Sequence, residues 1–481
     1  MTTINTKVAI IGAGCSGLKA ANELLTLLDQ RDVYVVEAQD RIGGRLFTDR
    51  TSSVHGLPYD LGAAWFHDCL DNAVLDYKLA LGKFEVPRDG YFDEKDIVVY
   101  DRDGVVDLNG LNLNQILLDA EKFSEKYYYA LLDHKDVPLK EIATRYIEKF
   151  DKLLTPQQKH YLVRMIRYLE LWHGISWDVM SAKYGILQHE GRNLYNKEGF
   201  GRLPEELAKG VENILLSQPV KKIYRGGDKV RVVCQTGLTI EADYIIVTVP
   251  QSVLALDKDE VGGIEWIPSL PKNVTESLES IHFGALGKIV LEFDQVWWDY
   301  SQDRYTILPD YDAAPVPIEF TPENPPIPFQ FPAYAINYSK VHDSPNKPSL
   351  VLLTQAPLTN YFEKYPEKAW EYYKPMLQKL SVTGNRPIPD PLQVLTTSWT
   401  QNPYFRGSYS AVHAGDDADG CIIQLSNEFP NVGLGLDSHV RFAGEHTILE
   451  GAGCVHGAWL SGMREAKFIL KAFALKTSSK L

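Results

Sequence analysis

The chain has 481 residues, 44% of them hydrophobic, enough for two or three domains with sizeable cores. Acidic residues outnumber basic ones by 63 to 49, a net charge of −14, and no long basic run occurs; this argues against nucleic acid as a partner and is compatible with a cationic substrate. The five cysteines are scattered without CxxC or metal spacing, so they read as reduced intracellular thiols with no metal site. No run of about 18 to 20 uncharged apolar residues is present to cross a membrane, and the first strand begins too early to leave room for a signal peptide.

In chain order, the apolar run Val8–Ile11 predicts a buried strand, followed at once by Gly12-x-Gly14-x-x-Gly17 and a helical pattern. Gly12 allows the tight turn, Gly14 lets the backbone approach a pyrophosphate, and Gly17 lets helix pack on strand. The helix N-terminus, with Ser16 in its first turn, then faces the phosphates with free N–H groups and a positive dipole. A second strand, Val33–Val36, ends in Glu37, at the right distance to accept hydrogen bonds from ribose hydroxyls, with Ala38 beside it. The turn Arg41-Ile-Gly43-Gly44-Arg45 brings Arg45 close to the phosphates, where a guanidinium fork pairs with oxygens. These landmarks predict a dinucleotide site on an α/β, Rossmann-like fold. The string EAQDRIGGR resembles the signature of flavoproteins that hold FAD through the whole catalytic cycle.

The FAD-binding domain is expected to be discontinuous, built from residues 1–85, 200–282 and 400–481. Its later pieces are strand-like: Val220–Tyr224, Val230–Cys234, the run ADYIIVTVP over 242–250, and VRFAGE over 440–445 before a closing helix. Residues 86–199 and 283–399 form an inserted α+β substrate-binding domain, largely helical over about 112–180. Eight prolines in 309–332 predict an irregular, surface-running segment to which no function attaches. Near the C-terminus Gly444 and Glu445 end a strand, and a carboxylate there suits ribityl or phosphate-linked hydroxyls. Cys454 and Val455 open the closing helix, whose N–H groups point to the flavin pyrimidine oxygen. The Val220 backbone is the candidate contact to adenine.

The GxGxxG start, ADYIIVTVP and the FAGEHT…GAW-x-SG end resemble the flavin amine oxidase superfamily over almost the full length. More narrowly, YDLGAAWFHD (59–68), YLELWHGISW (168–177), QHEGRN (188–193), HFGALGKI (282–289) and QAPLTN (355–360) are similar to fungal polyamine oxidases and their relative, the fungal corticosteroid-binding protein. The resemblance implies an amine-oxidase-type fold, hydride transfer from the carbon beside an amine nitrogen to flavin N5, imine hydrolysis, and reoxidation by dioxygen to give peroxide. It makes Lys288 and His67 the catalytic residues: Lys288 reaches N5 through a water, and His67 orients the amine. It places Gly62, Ala63 and Trp399 against the flavin, and Glu94, Trp172, His189, Asn193 and His456 around the substrate, His456 as a pocket wall. Phe66 stands where the family often has a second histidine. Ser408 stands where monoamine oxidases carry the flavin-linking cysteine, so FAD is expected to be non-covalent.

The substrate this implies is spermine, cleaved to spermidine, 3-aminopropanal and hydrogen peroxide, with N1-acetylated polyamines as second substrates. The site should be apolar near the flavin and acidic further out, so that the reacting nitrogen is neutral while other ammonium groups are held. Two alternatives stay open: a flavoprotein whose apolar tunnel binds a steroid or similar lipophilic molecule, and an amino-acid oxidase with Arg192 as carboxylate clamp. The C-terminal Ser479-Lys480-Leu481 reads as a peroxisomal address with an import receptor as partner.

Overall fold

The structure is a computed structural model that describes residues 2–92, 96–130, 134–186, 191–311, 316–384, 386–426 and 432–478. Among them, eight strands form the main sheet, in the order Glu265–Ile267, Val220–Tyr224, Val230–Cys234, Thr239–Val247, Thr3–Ile11, Val33–Val36, Ile214–Leu215, with Val440–Phe442 also pairing on Thr239–Val247. The opening strand runs parallel to both neighbours, with Val8 opposite Val33 on one side and Tyr244 on the other. Val8, Ala9, Ile10 and Ile11 are all buried, because both faces of a parallel sheet are covered. All eight strands lie within 1–85, 200–282 and 400–481.

Chain reversal at the end of the opening strand is tight. Gly12 (φ +108) donates its N–H to the Val36 carbonyl at 2.8 Å, and the helix Cys15–Leu24 follows. A Cβ at Gly17 would stand 2.0 Å from the Gly12 carbonyl oxygen, so only glycine lets helix and strand approach this closely. The closing helix, Val455–Ser478, crosses the same opening helix: a Cβ at Gly462 would lie 2.1 Å from the Ser16 carbonyl oxygen. Leu18, Leu24, Trp459, Ala466 and Ile469 fill the core between them. The carboxyl ends of the parallel strands and the two helix N-termini therefore converge on one crevice, where ligands bind in sheets of this type.

A second, six-stranded sheet runs Gln393–Thr396, Gly287–Glu292, Ser349–Thr354, Ala333–Asn337, Arg304–Ile307, Val98–Tyr100, all antiparallel except the last pair. Its strand Gly287–Glu292 is buried throughout: Ile289 and Leu291 face one core, Val290 another. Lys288 shares the Val290 face. Helices Leu113–Ala130, Leu139–Lys149, Pro156–Met165 and Tyr168–His173 pack beside this sheet. Thr155 and Gln158 cap the third reciprocally, with Pro156 at its first position. Gly174 (φ +65) ends the fourth and accepts the Ala285 N–H at 2.8 Å, docking that helix on the loop before Lys288.

Between Ile307 and Ala333 the described residues form no helix or strand, as the prolines predict, but the segment is not merely superficial. Phe320, Phe329 and Phe331 are buried in the core of the second sheet, while Ile318 and Ile327 stay exposed. Phe329 and Phe331, two residues apart, and Phe320 upstream of them tie an otherwise irregular run to the domain.

Candidate active site

A cavity of about 810 Å³ runs from the crevice of the main sheet to the second sheet. At the dinucleotide end it is lined by Gly12, Gly14, Ser16, Glu37, Ala38, Arg45 and Val220. The opening helix starts at Gly14 with no side-chain cap, and a Cβ built on Gly14 meets nothing within 4 Å, so uncapped N–H groups and open space coincide. Ser16 sits 3.3 Å from Ser461, whose hydroxyl also accepts the Gly444 N–H at 2.9 Å. The Glu37 carboxylate is fixed by the N–H groups of Ala13 (2.8 Å) and Gln39 (2.9 Å); burial pushes its carboxyl above the ordinary range against those bonds. Gly17 does not line the cavity and serves the helix–strand contact instead.

Arg45 and Glu445, 400 residues apart, meet at 2.9 Å, and the same guanidinium nitrogen donates to the Ser408 carbonyl at 2.9 Å. Glu445 also accepts from the Ser410 hydroxyl (2.6 Å) and the Gly453 N–H (3.1 Å). Burial raises its carboxyl, but Arg45, His446 and Ser410 outweigh that and hold it below the usual glutamate range. One ion pair thus joins the glycine turn, the Ser408 loop and the entry to the closing helix.

Further along, Gly62, Ala63, His67, Asn193, Trp172, Lys288, Trp399, Gly444, Glu445, Cys454 and Val455 line the same cavity. His67 Nδ1 lies 2.9 Å from Asn193 Oδ1, joining two residues the sequence assigns to amine and substrate. Trp399 is pinned by its indole N–H to the Leu61 carbonyl at 2.9 Å. Trp172, 39% exposed, meets Tyr334 edge-to-face with ring centres 5.1 Å apart. The Ser408 hydroxyl donates to the Gly284 carbonyl (3.0 Å) and accepts the Leu286 N–H (2.8 Å). Lys288 is 3% exposed; its ammonium donates to the carbonyls of Asp60 (2.7 Å) and Gly62 (2.6 Å) and lies 5.6 Å from the Trp65 ring centre.

His456 needs correction. The motif puts it on the pocket wall, but its ring is 3% exposed and is not among the lining residues. Asn72 lies 3.3 Å from its Nδ1 and Asp68 3.8 Å from its Nε2. At the start of the closing helix Cys454, just before it, and Val455 and Ala458 in its first turn face the cavity, which turns position 456 toward the Asn72 helix cap. Glu94, His189 and Ser479-Lys480-Leu481 lie outside the described residues. Arg192, the candidate carboxylate clamp, is not a lining residue and stacks over Phe92 at 3.5 Å.

The outer lobe, as far as the described residues line it, is apolar, and Glu94, the acidic residue expected there, lies outside them. Ile97, Val99, Leu108, Leu117, Met165 and Leu308 line it with Arg304, and among the described lining residues the only carboxylates are Glu37 and Glu445 at the dinucleotide end. The residues of this lobe come from two insertions and carry no motif that would mark them in the sequence. Asp60 falls inside YDLGAAWFHD, but nothing in the string marks it as buried beside a lysine.

An uncapped helix N-terminus and a fixed carboxylate at one end of a chamber that also holds a buried lysine and a histidine suit a dinucleotide cofactor. Residues 15–470 match the family described as flavin-containing amine oxidoreductase. Over 478 residues the chain is 48% identical to the corticosteroid-binding protein of Candida albicans, covering 98% of this chain and 96% of that one. It is 27% identical over 487 residues to probable polyamine oxidase 4 of Arabidopsis thaliana, covering 96% and 86%. A solved structure of wild-type putrescine oxidase bound to putrescine has the same fold, with a TM-score of 0.70 at 17% identity over 98% of this chain and 100% of that one. The chain belongs to the flavin-containing amine oxidoreductase family, and FAD is its cofactor.

Proposed function

We propose that the protein is an FAD-dependent polyamine oxidase that takes spermine to spermidine, 3-aminopropanal and hydrogen peroxide, and also accepts N1-acetylated polyamines. The observation that carries this reading is the buried Lys288 ammonium on the wall of a long cavity that also holds the His67–Asn193 pair. A lysine is costly to bury without a use. Bound FAD supplies the hydride acceptor and passes the electrons to dioxygen. The chain's own residues do the rest. Amine nitrogens with a pKa of about 10, like lysine's, are only about a thousandth neutral at pH 7, and the apolar lining shifts the reacting nitrogen toward its neutral form. His67, held by Asn193, orients that nitrogen; Trp172 and Tyr334 wall the chain of the substrate and offer cation–π contact. Lys288 holds a proton at the cavity wall for the oxygen half-reaction.

A second reading is a flavoprotein that binds a steroid or similar lipophilic ligand. The apolar outer lobe, with Arg304 its only arginine among the described lining residues, favours it, and so does the 48% identity to a corticosteroid-binding protein. Mixing the FAD-loaded protein anaerobically with spermine, N1-acetylspermine, spermidine and an L-amino acid separates these readings: amines that bleach the flavin are substrates, and their order of rate is the order of preference. We also propose, from sequence alone, that Ser479-Lys480-Leu481 directs the protein to peroxisomes. A full-length fluorescent fusion should be peroxisomal and lose that location when the three residues are removed; unchanged location contradicts it.

A further inference from the structure

Lys288 borders two cavities. The second is a small space of about 10 Å³, at the lower limit for a single water, with Tyr59, Asp60, Trp65, Tyr195 and Tyr338 on its wall beside the lysine. Asp60 is 5% exposed, and its carboxylate is fixed by the Thr48 hydroxyl and by the Phe200 N–H at 3.0 and 3.2 Å. Its own carbonyl, with that of Gly62, takes two of the three N–H bonds of Lys288, leaving one for the cavity side. The ammonium touches Asp60 through the backbone carbonyl and stands beyond ion-pair distance of its carboxylate, so the two charges act on each other across a buried pocket walled largely by tyrosines.

We propose that Asp60 is a positioning residue for the oxygen half-reaction: its carboxylate is the buried counter-ion that keeps Lys288 protonated while its loop aims the ammonium at the main cavity. This rests on the assignment of Lys288 to that half-reaction. Lys288 is an ammonium before and after turnover; the two electrons and two protons of the peroxide come from reduced flavin and solvent. Few other charges face the pair. Arg50 acts on Asp60, the hydroxyls of Tyr195 and Tyr338 are bonded to each other at 3.1 Å, and Glu292 stands behind Tyr59, whose hydroxyl it accepts at 2.9 Å. Burial pushes the Asp60 carboxyl up to about 6 against the pull of Lys288, and pushes the Lys288 ammonium down to about 8 against Asp60. Between those values both are charged. Neutralising Asp60 leaves the lysine its burial without its counter-ion, so its proton affinity falls further.

The test follows lysines labelled with ¹³C at Cε by NMR through a pH titration of the apoprotein and the FAD-loaded protein, the Lys288 signal being identified by its loss in Lys288→Met. In Asp60→Asn that signal should titrate about one unit lower, leaving about tenfold more neutral lysine at a given pH. Flavin reoxidation should lose its rate at a correspondingly lower pH, while anaerobic reduction by amine stays unchanged. A Lys288 titration that superimposes on wild type overturns the role of Asp60. If Asp60→Asn does not fold, the reciprocal is read in Lys288→Met: the infrared carboxyl band of Asp60 should ionise about one unit higher, and an unmoved band overturns the coupling. Lys288→Met that reoxidises at the wild-type rate would sink the assignment of Lys288 instead, a result distinct from either.

Discussion

Lys288→Met is expected to slow flavin reoxidation by dioxygen about a hundredfold or more, the scale of losing a positioned proton donor, while flavin content and anaerobic reduction by amine stay within about twofold of wild type. Methionine is unbranched and fills irregular gaps, so the buried strand Gly287–Glu292 keeps its packing. The substitution strips the Asp60 and Gly62 carbonyls of their donor, a cost of about 1–3 kcal/mol for groups left unsatisfied, partly offset by removing a buried charge. Stopped-flow mixing of the reduced variant with oxygenated buffer reads the reoxidation rate directly. Reoxidation at the wild-type rate would leave Lys288 with a purely structural role.

The second large effect separates two glycines of one motif. Gly14 has φ −80° and ψ −173°, a backbone any residue adopts, and its missing side chain points into open cavity. Gly14→Val should leave apoprotein stability within about 0.5 kcal/mol, as for a substitution that disturbs no packing, yet weaken FAD binding about a hundredfold, roughly 3 kcal/mol, by filling the space a pyrophosphate must enter. Gly17→Val should do the reverse first: its Cβ would sit 2.0 Å from one backbone atom of Gly12 and 3.1 Å from another, so the apoprotein itself loses about 1–3 kcal/mol or more. Flavin-fluorescence titration and apoprotein melting measure the two quantities separately. A Gly14→Val protein that binds FAD as tightly as wild type would place the phosphates elsewhere.

The dinucleotide end was legible because its determinants are local. Gly12, Gly14, Gly17, Glu37 and Arg45 fall within one strand–helix–strand unit, where spacing alone fixes geometry. Residues that meet only across the fold are legible one at a time, never as pairs: the motifs point Arg45 to phosphate and Glu445 to hydroxyls, and the structure joins them in one ion pair. His456 shows the limit of a motif at a helix start, where one residue's rotation decides between cavity and interior, and Asn72 and Asp68 decide it from a distant segment. The burial of Asp60 and the apolar outer lobe had no sequence signal, because burial is a property of the neighbours that tertiary structure brings. The prolines of 309–332 predict an irregular surface run; the described residues there are irregular, but nothing in the pattern marks the three phenylalanines that anchor it in the core.

The most direct test of the central claim is anaerobic mixing of the yellow FAD-loaded protein with spermine, followed by air. The flavin band should be lost rapidly and return on aeration, with one hydrogen peroxide and one spermidine for each spermine consumed. A flavin that stays oxidised with spermine and with every other amine offered, in protein fully loaded with FAD, would contradict an amine oxidase and leave the apolar lobe as a ligand-binding site.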